Sequence, residues 1–379
     1  MTDWRSEWFE IEDAAYLNVA GQGPMPRVAI RAAQEALEWK KFPHRMPEKA
    51  HFDLPNKIRE LLARLIGGRP EEIAVTTGTT CGLAAVAAGL EWEADDEVLI
   101  AQGEFPAHFT TFLPLAAVGK LRVKIVKPAG RFLAASDFVA HIGPHTRLVS
   151  ASLVRFDDAA RLDAATVARA CHDAGALLLL DAAQCAGAMP IDVAALDADF
   201  VACSGYKWLL GPFGSGFFWA RSRLIEQMPI GPFYYLAALG PDANFGALTG
   251  QDFSEPRGAR RWDSPETASF FNLAPLQASL EFLLRVGVET VWRHNRKLIG
   301  EMIARLPLDR CVLASPADAE ERGPFVCVTA RMREQTPLLF ERLREAGVIV
   351  SLREGALRIA PHLYNSERDM DRLLTVLAV

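Results

Sequence analysis

Short uninterrupted apolar runs alternate along most of this chain with segments whose apolar positions recur every three to four residues. Runs of the first kind read as buried strands and segments of the second as amphipathic helices. Glu72–Thr76, Glu97–Ala101, Leu121–Lys127, Arg147–Ser152, Ala176–Asp181, Asp199–Cys203 and Phe217–Ala220 are of the first kind. Arg27–Lys40, Phe52–Ile66, Leu83–Leu90, Asp137–Ile142 and Ala164–Ala174 read as helices. In Phe52–Ile66 the pattern places Asn56, Arg59 and Arg64 outward, and Gly67-Gly68 closes the helix. The alternation predicts an α/β fold with a doubly wound, mainly parallel sheet.

Beyond Ala220 the rhythm changes. Gly231–Gly258 has little periodicity and reads as a long functional loop or lid. Helices at Ala274–Val286 and Glu289–Leu306 follow, then a strand at Phe325–Thr329 and a helix at Pro337–Ala346. A hairpin of Val348–Ser351 with Ala356–Ala360 and a last helix at Glu367–Val379 complete a smaller α+β domain. The expected division is a large domain over 15–272 and a small one formed by 1–14 and 273–379.

In an open parallel sheet, ligands gather at the carboxyl ends of the strands. Four of the expected strand ends carry chemistry. Lys207 follows Asp199–Cys203 through Ser204-Gly205-Tyr206, where little polarity surrounds it. Burial would lower its pKa and leave a nucleophilic amine; the plain alternative is a solvated strand-end lysine. Asp181 ends the run Leu177–Leu180, where a carboxylate is costly unless a cation meets it; a helix cap or structural ion pair would also account for it. Thr77-Gly78-Thr79-Thr80 joins a strand to a helix and reads as an anion cradle or as a threonine cap. Phe105, after Glu97–Ala101, reads as a core residue or as a platform for a planar ring. The loop Tyr16–Pro26, whose glycines and prolines let backbone approach something closely, is a plain entry turn or a substrate contact. A ligand with a phosphate, a flat heteroaromatic ring, a basic ring nitrogen and an aldehyde would use all four ends, with Gln184 at the ring's phenolic oxygen. Pyridoxal 5′-phosphate has those features.

The 379 residues carry a net charge of −6 with no dense basic run, which argues against nucleic acid as a partner. No apolar run approaches a membrane span, and Met1–Glu10 lacks the apolar core of a signal peptide, so a cytoplasmic protein is expected. The six cysteines are scattered without a C-x-x-C pair, which predicts reduced thiols and no metal site.

The segments YLNVAGQGPMP, TTGTTCGL, GEFPAH, LLLLDAAQ, SGYKWLLGPFGSGF and LRIAPHLYNSERDMDRL resemble the class V aminotransferase family. These are fold-type I pyridoxal-phosphate enzymes and include cysteine desulfurases, isopenicillin-N epimerases and kynureninases. The resemblance implies that Lys207 forms the imine, Asp181 meets the pyridine nitrogen, Gln184 meets the phenolate and Phe105 stacks on the ring. Beside Thr79 of the cradle, it implies Thr80, Ser204 and Tyr206 around the phosphate, joined by Thr267 from the partner subunit of a homodimer. Arg358 matches the arginine for the substrate carboxylate, a pairing suited to a guanidinium fork. Asn18 falls in the looser first segment, on the substrate side.

Departures narrow the expectation. Desulfurases carry a nucleophilic cysteine shortly before the carboxylate arginine, and Val350–Ala356 has none. Tyr206 stands where desulfurases have histidine, which moves the match toward the epimerases and kynureninases. Arg155 is a charge the family lacks there; it reads as a surface arginine, with selection of an acidic substrate group as the alternative. Cys185 reads as packing. The expected activity is therefore pyridoxal-phosphate chemistry at Cα of an amino acid or amine, transamination first. Epimerase or lyase chemistry and a non-catalytic cofactor-binding protein are the alternatives. A nicotinamide dehydrogenase is disfavoured because Gly211–Gly216 does not fit G-x-G-x-x-G.

Overall fold

The computed structural model describes residues 4–240, 242–265 and 269–379. Its strands in chain order are Ala15–Tyr16 (β1), Ile73–Thr76 (β2), Glu97–Ala101 (β3), Arg122–Val126 (β4), Thr146–Ser152 (β5), Leu177–Asp181 (β6), Phe200–Ser204 (β7) and Gly216–Ala220 (β8). Cys311–Leu313 (β9), Val326–Ala330 (β10), Val348–Ile349 (β11), Ser351–Arg353 (β12) and Ala356–Ile359 (β13) follow.

The main sheet has the order β2-β8-β7-β6-β5-β3-β4. All its neighbours run parallel except β8, which is antiparallel to both β2 and β7. From β3 the chain steps outward to β4, then returns across β3 to β5, β6 and β7. Alternate residues of the central strands enter different cores. Leu178, Leu180, Val201 and Cys203 join one apolar cluster; Leu177, Leu179, Phe200 and Ala202 join the other. A strand with helices on both faces has no polar face, which is why β6 reads as an unbroken apolar run.

The edge strand β2 is closed by side chains. Arg59 donates from Nε to Ile73 O at 3.0 Å and pairs through Nη2 with Asp263, whose Oδ1 accepts from Val75 N at 2.9 Å. The pair satisfies backbone groups that an open edge would leave to another chain. Arg59 is thus buried, at 3% exposure, and not outward as its helical position suggested. Its partner lies 204 residues away, beyond any helical wheel.

The second sheet is antiparallel, in the order β12-β13-β10-β9, and β1 pairs in parallel with β11. The hairpin expected from Val348 onward is therefore split. Val348–Ile349 turns to β1, and the hairpin itself is β12–β13 around Glu354-Gly355, both at positive φ. Two left-handed residues make the tight turn whose twist suits a hairpin. Helix Phe270–Val286 starts four residues before its expected position and lies along Arg27–Lys41 and Ala50–Ile66. Among the described residues of 231–258, short 3-10 turns stand at Tyr235–Ala237 and Phe245–Gly250, and Leu236 and Leu239 pack on Phe52.

Candidate active site

At the carboxyl ends of β2, β3, β6 and β7 lies a cavity of about 320 Å³, bordered by Gly78, Thr80, Phe105, Asp181, Tyr206 and Lys207. Two oppositely chargeable groups, one at the end of each neighbouring strand β6 and β7, therefore share one crevice. Lys207 is 7% exposed, and its Nζ stands 5.4 Å from the Phe105 ring centre and 5.5 Å from that of Tyr206. Burial, opposed by Asp181 and reinforced by Arg358, holds its pKa below the ordinary lysine value. Its backbone is fixed from the N-terminal loop. Gly23 N donates to Tyr206 O at 2.9 Å, and a Cβ on Gly23 would lie 2.1 Å from Lys207 O. The glycine–proline loop thus brings its backbone against that of the Lys207 segment.

Asp181 is 6% exposed. Its Oδ1 accepts from Ala183 N at 2.8 Å and from Thr79 Oγ1 at 3.4 Å. Burial raises its pKa against the opposing pull of His108 and Lys207. His108 is a residue that the sequence reading missed. It is wholly buried, with Nδ1 2.7 Å from Ser150 Oγ and Nε2 3.9 Å from Asp181 Oδ2. A polar side chain three positions after Phe105, in the otherwise apolar opening turn of Pro106–Ala117, was the available signal.

The anion end is built by β2, Gly78 and the helix Thr79–Gly89. Gly78 has φ 155°, and a Cβ there would sit 3.1 Å from Ser204 Oγ. Thr79 N donates to Ser204 Oγ at 3.0 Å, and the two hydroxyls lie 3.1 Å apart. Thr79 and Ser204 thus tie the helix start to β7, while Thr80 is exposed at the cavity. The helix start offers backbone N–H groups and a positive dipole end to an anion. Phe105 borders the cavity, and Phe156 meets it edge-on with ring centres 5.4 Å apart.

Gln184 donates from Nε2 to Ala20 O and accepts from Trp208 Nε1, both at 3.3 Å, with one amide N–H remaining. Asn18 bridges to Ala360 and does not border the cavity; its buried Oδ1 has no hydrogen-bond partner. Arg358 is 2% exposed and donates from Nε to Ser351 Oγ at 3.1 Å and from Nη1 to Phe156 O at 3.2 Å. Burial and Arg353 lower its pKa to about 10. Cys327 faces Arg358 across β10–β13, and burial pushes its thiol well above the ordinary range.

Arg155 is not a surface arginine. It is 6% exposed and donates from Nη2 to Gly103 O and Asp157 Oδ2, both at 2.9 Å, with Asp158 Oδ2 3.8 Å from Nε. Its charge answers carboxylates of its own loop. Asp158 is the odd charge out, raised to about 6 by burial and by Asp157. Glu104 accepts from Ser152 N, Ser152 Oγ and Phe105 N. Cys185 is buried in the core, and its thiol is raised by burial. Thr267 lies outside the described residues.

Pyridoxal 5′-phosphate fits these residues. Asp181 Oδ1 carries its hydrogen bonds while Oδ2 lies 3.9 Å from the His108 nitrogen, and the Lys207 amine bordering the same cavity is desolvated. The helix start at Gly78–Thr80 supplies the anion end and Phe105 a flat wall.

The family model for Aminotransferase class-V matches residues 15–373. Isopenicillin N epimerase of Streptomyces clavuligerus is 28% identical over 382 residues, covering 95% of this chain and 93% of its own. The uncharacterized aminotransferase YcbU of Bacillus subtilis is 27% identical, covering 87% and 84%. Among solved structures, a C-DES mutant with glycine covalently linked to the PLP cofactor superposes with a TM-score of 0.86 at 23% identity, over 97% and 96% of the two chains. The cysteine desulfurase CsdA of Escherichia coli gives 0.82 at 20% identity, over 100% and 98%. These structures share the fold.

Proposed function

This chain belongs to the class V aminotransferase family, and from that premise we propose that it is a pyridoxal-phosphate transaminase acting at Cα of an amino acid. Bound pyridoxal phosphate supplies an aldehyde carbon and an electron-accepting ring. Lys207 holds the cofactor by its uncharged amine and afterwards takes and returns the proton at Cα. Asp181 keeps the ring nitrogen protonated, Phe105 supports the ring face, and Thr80 with the helix start receives the phosphate. Gln184 turns its spare N–H to the phenolic oxygen. Arg358 binds the substrate carboxylate by its fork, beside Phe156. Thr267 of a second subunit completes the phosphate site in a homodimer.

One observation carries the choice of reaction. Among the described residues bordering the cavity, the titratable groups are Cys81, Asp181, Tyr206 and Lys207. Asp181 is given to the ring, and burial raises Tyr206 further above its ordinary value. Cys81 is engaged with Thr77 Oγ1 at the anion end, which leaves Lys207, its Nζ 5.4 Å from the Phe105 ring centre, as the base beside the ring wall. One base that takes and returns a proton on one side suits transamination. Sulfur transfer is disfavoured, since β12–β13 turns tightly at Glu354-Gly355 and the thiol nearest Arg358 in register, Cys327, is held protonated.

A second reading, epimerisation through the same base, draws support from the 28% identity to isopenicillin N epimerase. Purified protein supplied with cofactor, a panel of L- and D-amino acids and a 2-oxo acid acceptor separates the two. Amino-group transfer is expected, seen as a new amino acid and a new 2-oxo acid. Stereochemical inversion or Cα deuterium exchange with no 2-oxo acid formed would overturn transamination in favour of the second reading.

A further inference from the structure

A carboxylate that keeps a ring nitrogen protonated must itself stay ionised, and burial works against that at Asp181. Its surroundings are unequal. Oδ1 is engaged by Ala183 N and Thr79 Oγ1. Oδ2 lies 3.9 Å from the Nε2 of His108. His108 is wholly buried and does not border the cavity, whereas Asp181 does. Its other nitrogen is held at 2.7 Å by Ser150 Oγ on β5, and Nε2 has no hydrogen-bond partner. The charged groups facing the imidazole are Asp181 and Glu104, the latter fixed by Ser152 and neighboured by Arg155. An unpartnered imidazole nitrogen between two buried carboxylates is costly unless it donates to one of them. Glu104 is already satisfied by three donors.

We infer that His108 is a positioning residue that donates from Nε2 to Asp181 Oδ2 and so holds the carboxylate ionised and aimed at the cofactor's ring nitrogen. Ser150 Oγ–H on Nδ1 fixes the proton on Nε2. A shift of about 1 Å, within reach of rotating the Asp181 carboxylate, brings the pair to hydrogen-bond distance. Lys207 cannot replace His108 in this role, because it is committed to the cofactor. The inference rests on Asp181 as the ring-nitrogen partner, and it is independent of which reaction follows.

The test is nuclear magnetic resonance on the cofactor-loaded enzyme, with 15N in the cofactor's ring and in histidine. In the wild type, His108 is expected to show a protonated Nε2 and an unprotonated Nδ1, its signals identified by their loss in His108→Gln. The ring-nitrogen signal is expected in the protonated range, retained in His108→Gln, whose amide can still donate, and displaced toward the unprotonated range in His108→Leu. Cofactor affinity should fall about 10–100-fold in His108→Leu and recover in His108→Gln. An unprotonated Nε2 in the wild type overturns the inference whether or not the leucine variant folds. So does a ring-nitrogen signal that His108→Leu leaves unmoved while Asp181→Asn displaces it. If Asp181→Asn also leaves it unmoved, the assignment of Asp181 itself falls.

Discussion

Two pairs of opposite charge have buried side chains in this protein and are handled in opposite ways. Arg59 and Asp263 close on each other and spend their remaining capacity on the backbone of β2. Lys207 and Asp181, 7% and 6% exposed, make no ion pair with each other, and burial pushes both toward their neutral forms. The first pair seals a sheet edge. The second keeps its chemistry unspent, and the cavity between the strand ends is where a ligand can use it. Burial alone therefore does not mark a functional charge; burial without a direct partner, beside a cavity, does.

The contrast breaks most visibly under mutation. Arg59→Leu leaves Asp263 buried and unpaired, and should cost about 3–5 kcal/mol of stability in thermal or urea unfolding. Lys207→Met should change the stability of the cofactor-free protein by no more than about 1 kcal/mol, since no direct pair is lost. It should lower turnover by about 10³-fold or more. Equal losses of stability in the two variants would erase the distinction.

Arg358→Lys sharpens the comparison on the substrate side. It keeps the charge and removes the fork, so KM for the amino acid should rise about 10–100-fold with kcat less affected. A KM unchanged in that variant would remove Arg358 from carboxylate binding.

The smallest expected effect is at Asp158, where a closed cluster holds one carboxylate too many. Its folded pKa, about 6, lies above the ordinary 3.8. The folded state therefore binds this proton more tightly than the unfolded state. The stability it contributes is complete below pH 3.8 and lost as pH rises through about 6. Asp158→Asn should thus match the wild type near pH 3.5 and exceed it by about 1–2 kcal/mol at pH 8. A stability gain that does not depend on pH would mean that the charge is not the cause.

Lys207 and Asp181 were legible because each ends a strand that the sequence writes as an unbroken apolar run, and parallel order brings such ends together. Residues whose roles depend on distant partners were not. Arg59 sits at an outward-seeming position of its helix until Asp263 arrives from another part of the chain. Arg155 seemed exposed because its screening acids are fixed by the fold of the loop and not by spacing. Thr79 was grouped with Thr80, yet its hydroxyl turns inward to Asp181 and Ser204. His108 lies on a helix that periodicity did not outline, since Pro106–Ala117 is apolar nearly all round. The split of Val348–Arg353 between two partners escaped notice because β1 is two residues long.

Gly23 against the carbonyl of Lys207, with β1 paired to β11, has a consequence for biosynthesis. A nascent chain emerging from the ribosome presents its lysine long before Val348 and Arg358 have been made. Until they emerge, β1 lacks its strand partner β11, so the first residues made are among the last to be seated in the fold.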